Sequence, residues 1–155
     1  MELADILAED AVLDCTGLTS KRQLFEVLSD KASEITGMDR NEILASITGR
    51  EELGSTGLGN GIAIPHGKLN GLKDVTAVFA RLDEPIDFDA VDDQAVDVVI
   101  MLLAPVGAGA DHLKALSRVA RLLRTESVID QLRTETDRKR LYNMLTTSLE
   151  DSAAA

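Results

Sequence analysis

The residues best suited to chemistry fall in one run, Gly57-Leu58-Gly59-Asn60-Gly61-Ile62-Ala63-Ile64-Pro65-His66-Gly67-Lys68-Leu69. Glycine can take φ > 0 and let the backbone approach a ligand, presenting amide N–H groups with no side chain in the way. Asn60 tolerates the same left-handed backbone. Ile62 and Ile64 are predicted to anchor a short strand in the core, and Pro65 to stiffen its exit. On this reading His66 stands at a strand end between rigid neighbours, with Gly67 leaving open space beside it.

A displayed imidazole suits reversible phosphoryl transfer. Its unperturbed pKa of about 6.5 leaves a nucleophilic ring nitrogen near neutral pH. The P–N bond it forms is labile enough to hand the group onward. The second ring nitrogen needs a hydrogen-bond acceptor to fix the tautomer, and a backbone carbonyl is enough.

Phosphoryl oxygens also need donors around them. Arg50, at the end of a predicted helix, offers a bidentate guanidinium, although alone it reads equally as a solvated helix-end charge. His112 lies at the start of another helix, where unpaired amides and the macrodipole favour an anion. Ser55 and Thr56 offer hydroxyls or simply form a turn, and Lys68 is a nearby charge or a surface one. The backbone of Gly59, Asn60 and Gly61 completes the candidate anion cradle.

Other readings of the same run fail. A P-loop requires G-x-x-x-x-G-K-[ST], but five residues separate Gly61 from Gly67, and Leu69 follows Lys68. The Rossmann pattern fails because Ile62 occupies its third glycine position. A metal-dependent hydrolase would have to be built from two histidines without a paired motif and one cysteine, Cys15, so neither metal nor cofactor is expected. A module that binds an anion without His66 reacting stays open.

The elements that position these residues can be read from periodicity. Ser20 with Gln23 has capping-box spacing; Leu24, Val27, Leu28 and Ala32 follow at helical period, and Gly37 is a stop. Asp39 with Glu42 opens a second helix carrying Ile43, Leu44 and Ile47, which fades near Leu53. Val75 to Leu82 reads as a strand, and Ala95 to Ala104 as a central strand covered on both faces. Asp83 to Asp93 reads as an acidic connection between them.

Asp111 is placed as the cap of a third helix, with Leu113, Leu116, Val119, Ala120 and Leu123 spaced for burial. Helical stretches follow near Ser127–Arg133 and Asp137–Leu149, and residues 151–155 are expected to form a disordered tail. The order of elements predicts one α/β domain over residues 1–150, with helices on both faces of a single sheet.

Composition narrows the function classes. The 155 residues are 45% apolar and only 3% aromatic, which calls for an aliphatic core. A chain of this length buries about two-thirds of its unfolded surface and needs no staples. A formal net charge of -11 opposes binding to nucleic acid or to an anionic membrane and favours a basic protein partner. The acidic first residues do not read as a signal peptide, and the apolar run Val98 to Val106 is too short to span a bilayer, so a cytoplasmic location is expected.

The run from Gly59 to Leu69 resembles the active-site signature of the type-2 (fructose/mannitol) enzyme IIA domains of the bacterial phosphoenolpyruvate phosphotransferase system. Glu51 and Leu58 also fall where that signature expects them, and Gly54-Ser55-Thr56-Gly57 resembles the nitrogen-regulatory IIA subgroup. The resemblance extends from the first helix to Leu149. It implies a mixed β-sheet sandwiched between helices. It further implies phosphorylation of His66 on Nε2 by an HPr-like carrier, with His112 as second active-site histidine and Arg50 as phosphate-site arginine. The implied role is regulation of target proteins such as kinases or transporters. The alternative is a sugar-specific IIA component that passes phosphate to a IIB domain. With no IIB or IIC segment in the chain, the regulatory subgroup is the expectation.

Overall fold

The computed structural model describes residues 2–147; the tail expected at 151–155 and the end of the last predicted helix, Leu149, lie outside them. A short 3-10 turn, Leu3–Asp5, leads into strand β1 (Leu7–Cys15). Helices α1 (Lys21–Thr36) and α2 (Arg40–Glu52) follow. Both start where the sequence caps them. Ser20 accepts from the Gln23 amide at 3.2 Å and Asp39 from the Glu42 amide at 3.1 Å. Gly37, at φ 74°, closes α1 in the left-handed conformation that glycine adopts without strain.

Three short strands, β2 (Gly57–Gly59), β3 (Ile62–Ala63) and β4 (His66–Leu69), precede the long pair β5 (Thr76–Ile86) and β6 (Val96–Pro105). Helices α3 (Ala110–Leu123), α4 (Glu126–Thr134) and α5 (Arg138–Thr146) complete the described chain. The sheet runs β1-β5-β6-β3-β2, with β4 also on β6. Pairing is parallel for β1 with β5 and for β3 and β4 with β6, and antiparallel for β5 with β6 and β2 with β3. The sheet is therefore mixed. Residues 98–104 of β6 are all buried, as expected of a strand covered on both sides.

The helices flank the sheet on opposite faces, and β4 shows it directly. Gly67 packs against Ser46 of α2, whereas the ring of the preceding residue, His66, meets His112 of α3. Successive strand residues point to opposite faces, so α2 and α3 lie on opposite sides.

Several expectations need correction. Strand β1 was not predicted, because Glu9, Asp10 and Asp14 break its apolar alternation. It is tolerated at the sheet edge, where the register with β5 shifts between Leu7 and Val12, Glu9 and Asp10 stay exposed, and half-buried Asp14 accepts from Arg81 at 3.0 Å. Strand β5 runs on to Ile86, shortening the acidic connection. His66 begins a strand instead of ending one: past Pro65 the extended chain continues on β6, and the Pro65 carbonyl accepts from the Leu102 amide at 2.9 Å.

The cap of α3 is Gly109 (φ 51°), with Asp111 inside the first turn. The face of α3 turned to the sheet carries His112, Ala115, Val119, Leu122 and Leu123. Leu113, expected in the core, is left 68% exposed.

Candidate active site around His66

Strand β4 positions the site through its alternation. Gly67 and Leu69 are buried on the α2 side, while His66 and Lys68 point to the other face. Gly67 is needed for contact and not for open space. A Cβ there would collide with Ser46 Oγ and stand 3.2 Å from the Ser46 carbonyl carbon. The Ser46 hydroxyl donates to the Lys68 carbonyl at 2.9 Å, tying α2 to the strand that carries the histidine.

The His66 ring is half-buried, and its Nδ1 lies 2.9 Å from the Ile64 carbonyl oxygen. A carbonyl only accepts, so the bond requires a proton on Nδ1. That tautomer leaves the lone pair on Nε2, the nucleophilic position. The carbonyl that the sequence required but could not name is Ile64.

His112 stands against this ring edge-on, with centroids 5.7 Å apart and planes inclined by 76°. It is 7% exposed, and its Nε2 has no hydrogen-bond partner among the described residues. Burial chiefly, then the neighbouring His66 and Lys68, push its pKa below the usual histidine range. His112 is therefore neutral at neutral pH, with an N–H or a lone pair free for a group arriving beside His66. Lys68 supplies the positive charge on the same face.

The remaining predicted residues divide into two groups. Arg50 is half-buried, and its guanidinium donates to the Gly54 carbonyl at 3.0 Å, closing the end of α2 onto the glycine-rich segment. Ser55 accepts from the Gly57 amide at 3.1 Å as a local turn. Thr56 is buried and bonded through its hydroxyl to Glu51 at 2.6 Å. Gly59, Asn60 and Gly61 form the β2–β3 turn with φ of 92°, 56° and 80°.

That turn sits away from the histidines. Ile62 is level with Val98 on β6 and His66 with Leu102, a separation of roughly 13 Å along the strands. Around the turn are side chains that the sequence did not single out. Arg133 of α4 donates to Asp97 at 3.1 Å and also to the Asn60 carbonyl. The Asn60 amide donates to Asp92 at 3.1 Å. The structure brings together His66, His112 and Lys68, and it engages Gly59–Gly61 in the hairpin.

No group of three or more His, Cys, Asp or Glu side chains converges as a metal site among the described residues. No described helix is long and apolar enough to cross a membrane.

Comparison with known proteins supplies the family. Residues 5–148 match the family model for the phosphoenolpyruvate-dependent sugar phosphotransferase system, EIIA 2. The chain is 47% identical over 145 residues to a nitrogen regulatory protein of Bradyrhizobium diazoefficiens, covering 94% of this chain and 95% of that one. It is 40% identical over 114 residues to a fructose-specific EIIA component of Haloferax volcanii, covering 73% of this chain and 74% of the relative. The crystal structure of nitrogen regulatory protein IIA-Ntr from Neisseria meningitidis superposes with a TM-score of 0.87 at 34% identity, over 93% of this chain and 99% of that one. The chain belongs to the type-2 EIIA family of the phosphoenolpyruvate-dependent sugar phosphotransferase system.

Proposed function

We propose that this chain is a phosphocarrier that accepts a phosphoryl group on Nε2 of His66 from an HPr-like, histidine-phosphorylated carrier and acts mainly as a regulator. The observation that carries the reading is the bond from His66 Nδ1–H to the Ile64 carbonyl. It fixes the tautomer and leaves Nε2 as the nucleophile before any donor arrives.

In the transfer, the bond from phosphorus to the donor's imidazole nitrogen breaks as the bond to Nε2 forms. The electron pair of the broken bond returns to the donor ring. Neutral His112, whose ring is already beside that of His66, offers an N–H to a phosphoryl oxygen, and Lys68 offers charge. Arg50 is the residue that the family resemblance maps to the phosphate-site arginine. It would reach that site by releasing the Gly54 carbonyl.

Phosphorylation adds a doubly charged group to the surface beside α3 and changes which partners dock there. Target proteins such as kinases or transporters would read that change. Similarity to nitrogen regulatory proteins over most of the chain supports the regulatory role ahead of sugar transport.

The test is incubation with phosphoenolpyruvate, enzyme I and an HPr-type carrier. One acid-labile phosphoryl per chain is expected, and none in His66→Ala. Labelling that persists in His66→Ala overturns the assignment. Onward transfer to a IIB protein would move the reading to the sugar-specific alternative.

A further inference from the structure

Glu51, at the end of α2, is a carboxylate with a side chain only 6% exposed, and the scheme above gives it no task. Its oxygens are fully engaged. Lys21 Nζ donates to it at 2.9 Å, the Thr56 amide at 3.2 and 3.3 Å, and the Thr56 hydroxyl at 2.6 Å. The Thr56 carbonyl then accepts from the Ile64 amide at 3.0 Å, and the Ile64 carbonyl accepts from His66 Nδ1 at 2.9 Å. An unbroken polar path joins the first turn of α1 to the nucleophile.

The path matters because of where Ile64 lies. Strand β3 leaves β6 at the Ala63–Val99 pair, and contact resumes where the Leu102 amide meets the Pro65 carbonyl. Ile64 falls in that gap, and Pro65 has no N–H with which to bridge it. Thr56 therefore anchors Ile64 through the N–H of the Ala63–Ile64 peptide, one residue's φ and ψ away from the carbonyl that meets His66, and Thr56 is itself held by Glu51. Lys21 holds the far end with its ammonium 4.3 Å above the Phe88 ring.

We propose that Glu51 is a positioning residue: through Thr56 and Ile64 it orients the carbonyl that fixes the His66 tautomer. The proposal rests on the phosphocarrier reading for its consequence in transfer, while its effect on the tautomer is independent of that reading. A merely structural carboxylate would influence stability and leave the ring's proton in place.

The experiment is nitrogen-15 NMR of the His66 ring in the full chain, alongside phosphoryl transfer from the HPr-type carrier. Expected for the unmodified chain is a ring protonated on Nδ1. In Glu51→Ala the proton populates Nε2 substantially, and the transfer rate falls about tenfold or more, by analogy with the loss when groups that orient a metal-binding histidine from behind are removed. Glu51→Gln, which keeps an acceptor oxygen for Thr56, restores most of the Nδ1–H form. A folded Glu51→Ala with unchanged His66 resonances overturns the proposal.

Should Glu51→Ala fail to fold, Thr56→Val carries the test. It deletes the 2.6 Å hydroxyl bond, the shortest tie to Glu51, at nearly constant volume while the amide bonds remain, so a partial shift toward the Nε2–H form is expected and unchanged His66 resonances overturn the proposal. Failure of the unmodified chain to take phosphoryl would overturn the carrier reading alone, because the tautomer measurement still decides the role of Glu51.

Discussion

The rings of His66 and His112 meet edge to face at 5.7 Å, though one is carried by the short strand β4 and the other by the first turn of α3. A group carried on His66 would stand beside a buried imidazole whose Nε2 has no partner among the described residues.

Replacing His112 by Ala is expected to leave His66 able to accept phosphoryl but to slow transfer on the order of a hundredfold, the loss typical of one missing oxyanion donor. Rapid-quench transfer from the HPr-type carrier measures it. An unchanged rate would make His112 a bystander.

The depressed pKa of His112 links stability to pH. Its folded-state pKa lies below the unfolded value of about 6.5. Between those two values the unfolded chain binds more protons, so stability rises with pH there. The contribution of neutral His112 is complete above about pH 6.5 and is lost as pH falls toward the folded pKa. Denaturant melts from pH 7.5 to 5 should show this loss, reduced in His112→Gln. Equal slopes in both proteins would refute it.

Phosphorylation should reverse that displacement. A dianion on Nε2 of His66 replaces a neighbour that opposes protonation of His112 with one that favours it. The carbon-13 titration of His112 is expected to shift to higher pH in the phosphorylated chain. A downward shift would place the phosphoryl elsewhere.

Gly67→Ala tests the packing beneath the site. The added methyl meets Ser46 Oγ and its backbone carbon, so a loss of about 1–3 kcal/mol is expected from thermal or denaturant melts. Adding Ser46→Ala removes the nearer clash and should recover part of that loss. Stability equal to the parent would show that α2 does not press on β4.

Gly61→Ala tests the hairpin. At φ 80°, with Arg133 Nη2 only 2.5 Å from the new Cβ, it should lower stability by about 1–3 kcal/mol. If Gly61 serves the hairpin and not the transferred group, the transfer rate per folded molecule should be close to that of the parent. A collapse of the rate in folded protein would bring the turn back into the active site.

Much was legible locally because its causes are local. Ser20, Gly37 and Asp39 mark helix ends through bonds spanning only a few residues, and the apolar run of β6 reports burial on both faces. The setting of His66 among glycine, proline and isoleucine marked it as a displayed ring, because such residues restrict the backbone whatever surrounds them. The resemblance along the chain pointed to His112 and Arg50, which spacing alone would have left as ordinary polar residues; the structure sets His112 beside His66 and bonds Arg50 to the Gly54 carbonyl.

Only the tertiary structure decided which long-range neighbours meet. Strand β1, broken in pattern by Glu9, Asp10 and Asp14, exists because β5 offers it an edge. The face that α3 buries was settled by its packing, which turns His112 inward and Leu113 outward. Gly67 reads as freedom in the sequence and proves to be close contact, because Ser46 arrives from a helix on the other face. The glycines at 59 and 61 share a run with His66, but an extended strand carries neighbours in sequence roughly 3.3 Å apart per residue. They consequently end in a hairpin with Asp92, Asp97 and Arg133, while the histidine finds its partner on helix α3, which covers its own face of the sheet.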